Sequence, residues 1–199
     1  MLAIIDYGMG NLRSVQKALE RNGADTVITQ DPGVIKNADR VVLPGVGAIQ
    51  PAIEKLEQLH LILPIMETID SGKPFLGICL GLQLLFEKSD EGGGISGLGA
   101  VPGEVRRFPS LKVPQMGWNQ LSIKKADCPL YKGIVDLSYF YFCHSFYVRP
   151  EDDKYIATTT DYGLEYCSSI SRGNLFGVQF HPEKSQALGL KILENFINL

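Results

Sequence analysis

Short apolar runs alternate with stretches of helical period through the first half of the chain. Leu2-Ala3-Ile4-Ile5 is apolar throughout and stops at Asp6, the pattern of a strand buried on both faces. Between Asn11 and Asn22 the apolar positions are Leu12, Val15, Ala18 and Leu19, spaced as on one face of a helix, and Gly23 supplies a stop. Arg40-Val41-Val42-Leu43 reads as a second strand, ended by Pro44-Gly45-Val46-Gly47, and Ala48 to Leu59 returns to helical period. Phe75-Leu76-Gly77-Ile78 is a third buried strand, with a helix predicted over Leu80 to Lys88. This alternation predicts an α/β fold: a mostly parallel, twisted central sheet with helices on both faces.

The second half has a different texture. Gly92 to Gly103 is glycine-rich and reads as loops and turns. Tyr139-Phe140-Tyr141-Phe142, Tyr155 to Thr160 and Leu175 to Phe180 are rich in aromatic and β-branched residues and read as strands. A helix from Gln186 to Ile197 follows. No internal repeat, low-complexity tract or linker divides the chain, so one domain over residues 1–199 is expected.

Composition narrows the function classes. The chain is 45% hydrophobic and 21% charged, with a net charge of −3 and no run of like charges, which gives no footprint for nucleic acid or an anionic membrane. No apolar stretch approaches a membrane span, and the first apolar run is too short for a secretory signal. Cysteines stand at 79, 128, 143 and 167 without zinc-ligand spacing. Reduced thiols in a cytoplasm are therefore expected, and no metal or cofactor is implied.

The chemistry is carried by two segments far apart in the chain. Gly77-Ile78-Cys79-Leu80-Gly81 places a cysteine between glycines where a strand meets a helix, parallel to the G-x-S-x-G nucleophile elbow. A sharp turn there exposes the sulfur, a helix N-terminus favours the thiolate, and the Leu80 N–H faces a developing oxyanion. His181-Pro182-Glu183 places a histidine at a predicted strand end with a carboxylate two residues on, a base and a group to orient it. Of the other histidines, His60 reads as a surface residue, whereas His144 follows an aromatic strand and could reach the site. Pro44-Gly45-Val46-Gly47 ends the neighbouring strand, and the Val46 N–H is a candidate second oxyanion donor.

G-x-C-x-G-x-Q with a late H-P-E resembles the class I (triad) glutamine amidotransferases over essentially the whole chain. The resemblance implies a flavodoxin-like α/β fold and a catalytic triad of Cys79, His181 and Glu183, with Val46 and Leu80 forming the oxyanion hole. Gly47, Gln83, His144, Ser145 and Phe146 are implied as the glutamine-binding residues. Six further segments resemble the glutaminase subunits of imidazole glycerol phosphate synthases: Asp6 to Val15, Leu43 to Gly47, Pro102 to Phe108, Val113 to Asn119, Tyr141 to Ser145 and His181 to Ser185. Met116-Gly117-Trp118-Asn119 is the most discriminating of them. The implied partner is a (β/α)8 cyclase in a heterodimer, which uses the released ammonia to make imidazole glycerol phosphate and AICAR in histidine biosynthesis. Asn11, Trp118, Tyr141 and Lys184 match motifs placed at that interface, with Trp118 in a loop context. The same chemistry feeding another synthase, such as that for anthranilate, and a non-catalytic relative are the alternatives.

Overall fold

The computed structural model describes residues 1–109 and 111–199. The chain opens with β1 (Leu2–Ile5), α1 (Leu12–Arg21), β2 (Thr26–Thr29), α2 (Pro32–Asn37), β3 (Arg40–Gly45), α3 (Ile49–Gln58), α4 (Ile62–Asp70), β4 (Phe75–Cys79) and α5 (Leu80–Leu84). It continues through β5 (Phe86–Ser89), β6 (Ile95–Ser96), β7 (Val101–Arg107), β8 (Gln115–Gln120), β9 (Ser122–Ile123), β10 (Tyr139–His144) and β11 (Phe146–Pro150). It ends with β12 (Ile156–Asp161), β13 (Glu165–Arg172), β14 (Leu175–Val178) and α6 (Gln186–Ile197).

The central sheet runs β2-β1-β3-β4-β14-β13-β11-β7-β5-β6, with β12 and β9 added through β13. Strands β2, β1, β3, β4 and β14 are parallel neighbours. From β14 onward the pairing turns antiparallel at β13 and β11. A separate two-stranded antiparallel ribbon joins β8 to β10.

The alternation of β1 side chains explains both helical layers. Leu2 and Ile4 pack with Val15, Ala18 and Leu19 of α1 and with Ile192, Leu193 and Phe196 of α6. Ala3 and Ile5 face the other way, against Ile35 of α2, Ala52 and Leu56 of α3, and Ile65 of α4. A ten-residue helix such as α1 is marginal alone, so its buried face holds it in place. The Asn11 side chain accepts from the Ser14 N–H as its N-cap, and Gly23 follows with φ +84°.

Three expectations need correction. The helix after Cys79 ends at Leu84, and Phe86–Ser89 is a strand, because the buried Phe86 is claimed by pairing with Val101 of β7. The glycine-rich stretch 92–103 contains β6 and the start of β7 as well as turns. Trp118 lies on β8, not in a loop, since Gln115–Gln120 pairs residue by residue with Tyr139–His144.

Candidate active site

Cys79 closes β4 with φ +54° and ψ −107°, a left-handed conformation that costs a non-glycine residue about 1–3 kcal/mol. Its neighbours make that turn possible. A Cβ on Gly81 would stand 1.8 Å from the Leu43 carbonyl oxygen, and one on Gly77 would stand 2.6 Å from the Gly81 carbonyl oxygen. The helix therefore folds back directly over β3 and β4, and only glycine permits the approach. The elbow expected from sequence is present, with α5 leaving from the sulfur-bearing residue.

Sheet register brings the distant segments together. Gly45 of β3 pairs with Cys79, and on the other side Val178 of β14 pairs with Ile78. Carrying that register one residue on sets Gln179 beside Cys79, and His181 two residues further shares its side. His181 is fixed from its own backbone, donating its N–H to the Tyr141 carbonyl at 2.9 Å, while Ser185 Oγ donates to the His181 carbonyl at 2.7 Å.

His181 and Glu183 are almost wholly buried, and His181 Nδ1 bonds Glu183 Oε1 at 2.9 Å. Glu183 Oε2 is buried with no partner among the described residues, so the imidazole is the donor this carboxylate serves. Burial alone would push the His181 imidazole down. Its hydrogen bonds to the Cys79 thiol and to Glu183, with their charges, overcome burial and hold it up at about 10. At neutral pH the imidazolium form of His181 is thus favoured beside Cys79 Sγ.

A cleft of about 280 Å³ opens over this group. Val46, Gly47, Cys79, Leu80, Gln83, His144, Ser145, Phe146, His181 and Lys184 all line it, so the structure brings together every residue expected at the catalytic and substrate positions except the buried Glu183 behind His181. Gln83 is buried and donates Nε2 to both the Phe146 carbonyl and Gln179 Oε1, each at 3.1 Å. Both amide protons are thereby spent, and Oε1 remains for a ligand donor. His144 Nδ1 bonds the same Phe146 carbonyl at 2.7 Å and its Nε2 meets Tyr166 Oη at 3.2 Å. Burial pushes the His144 imidazole down to about 4, the bond to the carbonyl opposing and the His181 charge assisting, so His144 is neutral. It braces the 144–146 segment and titrates far from His181.

Glu91 is the residue that sequence reasoning missed. It is the one carboxylate lining the cleft among the described residues, and its Oε2 also accepts the Ile49 N–H at the start of α3, at 2.9 Å. Nothing marked it in the sequence, because it lies just before the glycine-rich stretch without a motif partner. The expected interface residues fall differently. Trp118 and Tyr141 meet edge to face, 6.2 Å between centroids, and Lys184 Nζ lies 5.8 Å over the Tyr141 ring. Because β10 alternates, Phe140, Phe142 and His144 are buried while Tyr139, Tyr141 and Cys143 face outward beside Met116 and Trp118. Met116, Trp118 and Tyr139 are 65%, 46% and 54% exposed. Asn11 is also exposed, but it is not part of that row and its side chain caps α1.

Among the described residues no group of three or more His, Cys, Asp or Glu could hold a metal, and no helix is long and apolar enough to cross a membrane.

Known proteins resemble this chain in sequence and in fold. The chain is 55% identical over 196 residues to the imidazole glycerol phosphate synthase subunit HisH of Moorella thermoacetica, covering 98% of this chain and 93% of that one. It is 51% identical over 203 residues to the HisH subunit of Geobacter sulfurreducens, with 98% and 97% covered. Among solved structures, a glutamine amidotransferase superposes with TM-score 0.77 at 14% identity, covering 99% of both chains, which speaks to the fold alone. PurLQS from Thermotoga maritima superposes with TM-score 0.75 at 20% identity, covering 99% and 97%. The model of the family "Glutamine amidotransferase class-I" matches residues 3–199, and with an elbow cysteine beside a buried histidine–glutamate pair the chain belongs to that family.

Proposed function

We infer that this chain is the glutaminase subunit of an imidazole glycerol phosphate synthase, releasing ammonia from L-glutamine for a (β/α)8 cyclase subunit in histidine biosynthesis. Identity of 50–55% to HisH subunits over nearly the whole chain supports the pathway. The single observation that carries the chemistry is the strained Cys79 elbow in register with the strand that delivers His181 and Glu183.

In this reading Cys79 Sγ attacks the glutamine carboxamide carbon, and the oxyanion lies against the Leu80 and Val46 N–H groups at the ends of adjacent strands. His181 gives its proton to the leaving nitrogen, ammonia departs, and a thioester remains on Cys79. Acylation removes the thiolate, and with it the Cys79 contribution that held the imidazole protonated. The neutral imidazole, kept in orientation by Glu183, then takes a proton from water as it attacks the thioester, and glutamate leaves. Gln83 Oε1 and Glu91 supply acceptors for the substrate's ammonium group, and the 144–146 segment supports its amino-acid end.

The outward row of Met116, Trp118, Tyr139 and Tyr141 borders the cleft through Tyr141, whose ring centroid lies 6.5 Å from that of His181. We assign this rim, with Lys184, to the cyclase, so that ammonia leaves the cleft into the partner and not into water. Four free cysteines suit a reducing compartment, and the reading includes a cytoplasmic location. The residues 1–199 act as one glutaminase domain.

Purified chain, alone and with a cyclase subunit and its nucleotide ligand, tests the assignment. Glutamine hydrolysis should rise on adding the partner and vanish in Cys79→Ala. Undiminished hydrolysis by that variant would overturn it.

A further inference from the structure

We propose that Gln179 is a positioning residue for the nucleophile, its side-chain amide acting as a neutral hydrogen-bond donor that holds the Cys79 thiolate in its attacking orientation. The proposal rests on the glutaminase reading for its consequence and on geometry for its existence.

The sulfur is held by few groups. The Cys143 carbonyl lies 3.9 Å from Sγ and can accept from a thiol but offers nothing to a thiolate. Gln179 Nε2 donates to Sγ at 3.6 Å, a length suited to a large, soft acceptor, and both groups are buried. Once the thiol proton has gone to His181, the amide bond is stronger than before, because charged acceptors bind N–H groups more tightly than neutral ones. The Cys143 carbonyl, by contrast, then faces a negative charge. The amide thus favours the ionised state, and it does so without a proton of its own to lose.

Three features show that this amide is fixed and not incidental. Gln179 is fully buried, where a carboxamide without partners costs about 1–3 kcal/mol. Its backbone N–H donates to the Ser168 carbonyl at 2.9 Å, and strand register sets it next to Cys79. Its Oε1 accepts from Gln83 Nε2 at 3.1 Å, which settles the amide orientation: with Oε1 taken by a donor, the NH2 end must face sulfur. The Gln83 amide in turn binds the Phe146 carbonyl, so one chain of hydrogen bonds links the nucleophile to the segment that supports the substrate.

A role limited to bracing Gln83 predicts a different outcome from a role toward sulfur, and the test separates them. The rate of Cys79 alkylation by iodoacetamide is followed against pH in the full chain, by mass spectrometry of the Cys79 peptide. Gln179→Met keeps the volume without a donor, and Gln179→Asn keeps the chemistry but withdraws the donor by a methylene. Either variant that retains the wild-type circular dichroism spectrum decides the matter. The alkylation midpoint should rise by about 1 pH unit, equivalent to about 1.4 kcal/mol. In the complex with the cyclase, kcat for glutamine should fall about tenfold while KM changes less than threefold. A raised KM with an unmoved alkylation midpoint would confine Gln179 to bracing Gln83 and overturn the proposal. The alkylation assay does not need glutamine turnover, so a failure of the glutaminase reading would show separately, as a wild-type complex that does not hydrolyse glutamine.

Discussion

His144 should make the protein acid-labile in a defined window. The group is 5% exposed and its imidazole is pushed from 6.5 down to about 4, chiefly by burial. The native state therefore stays neutral at His144 while the unfolded chain takes up a proton below pH 6.5. A histidine with a depressed folded value gives stability that is complete above the unfolded value and is lost as pH falls toward the folded one. The shift amounts to about 3 kcal/mol at the plateau near pH 4, of which roughly 2–3 kcal/mol is already lost at pH 4.5. His181 does not contribute in this window, because its raised value keeps it protonated in both states there. It acts at the other end, its contribution fading as pH rises from about 6.5 through about 10. Carboxylates such as the half-buried Glu104 and the exposed Glu165, held low by their cation and hydroxyl partners, also lose ground in acid. The comparison with His144→Gln cancels them. Urea unfolding of wild type and His144→Gln at pH 7.0, 5.5 and 4.5 measures the difference, with an NMR titration of the His144 ring as the direct check. Parallel stability curves for the two proteins from pH 7.0 to 4.5 would refute the argument.

Other perturbations separate fold, chemistry and docking. Gly81→Ala should cost about 3 kcal/mol or more, read as a lowered urea midpoint, because its methyl meets the Leu43 backbone and not a movable side chain. Glu183→Gln should lower kcat about a hundredfold or more with little change in KM, since it removes the charge that orients and sustains the His181 imidazolium; stopped-flow glutamate release reads both. Trp118→Ala should weaken cyclase binding by about tenfold or more in calorimetric titration while leaving the circular dichroism spectrum unchanged, because the ring is 46% exposed and meets Tyr141 edge to face at the surface.

The parallel half of the sheet was legible in the sequence because its strands are apolar on both faces, and the pattern of Leu2 to Ile5 or Phe75 to Ile78 admits little else. The antiparallel half was less so. Strand β12 was readable from Tyr155 to Thr160, but β13, which carries the buried Ser168, Ser169 and Ser171, was not. The hydroxyls of Ser168 and Ser169 are satisfied inside the protein: Tyr131 Oη donates to Ser169 Oγ at 2.6 Å, and Thr158 Oγ1 bonds Ser168 and Ser169 at 2.8 and 2.7 Å. Polar residues that pair internally look like surface in a sequence. Edge strand β2 is half-buried and α2 has six residues, so neither leaves a strong periodic trace.

The same logic explains which parts of the site could be read. Cys79 and His181 stand out because glycines and a proline mark the backbone around them. Gln179 and Glu91 have no such mark, since a polar residue on a strand or in a glycine-rich turn reads as solvent-facing. Their importance arises only when register is known. The parallel pairing of β4 with β14 converts two distant segments into neighbours about one strand spacing, roughly 4.8 Å, apart. At that spacing the order along the second segment matters: position 179 falls level with the sulfur, 181 lies beyond it, and 183 lies behind 181. A one-residue slip would turn 179 and 181 to the opposite face of the strand together. The apolar residues that fix the register, Phe176 and Val178 on β14 against Leu76 and Ile78 on β4, therefore set the catalytic geometry although none of them touches substrate.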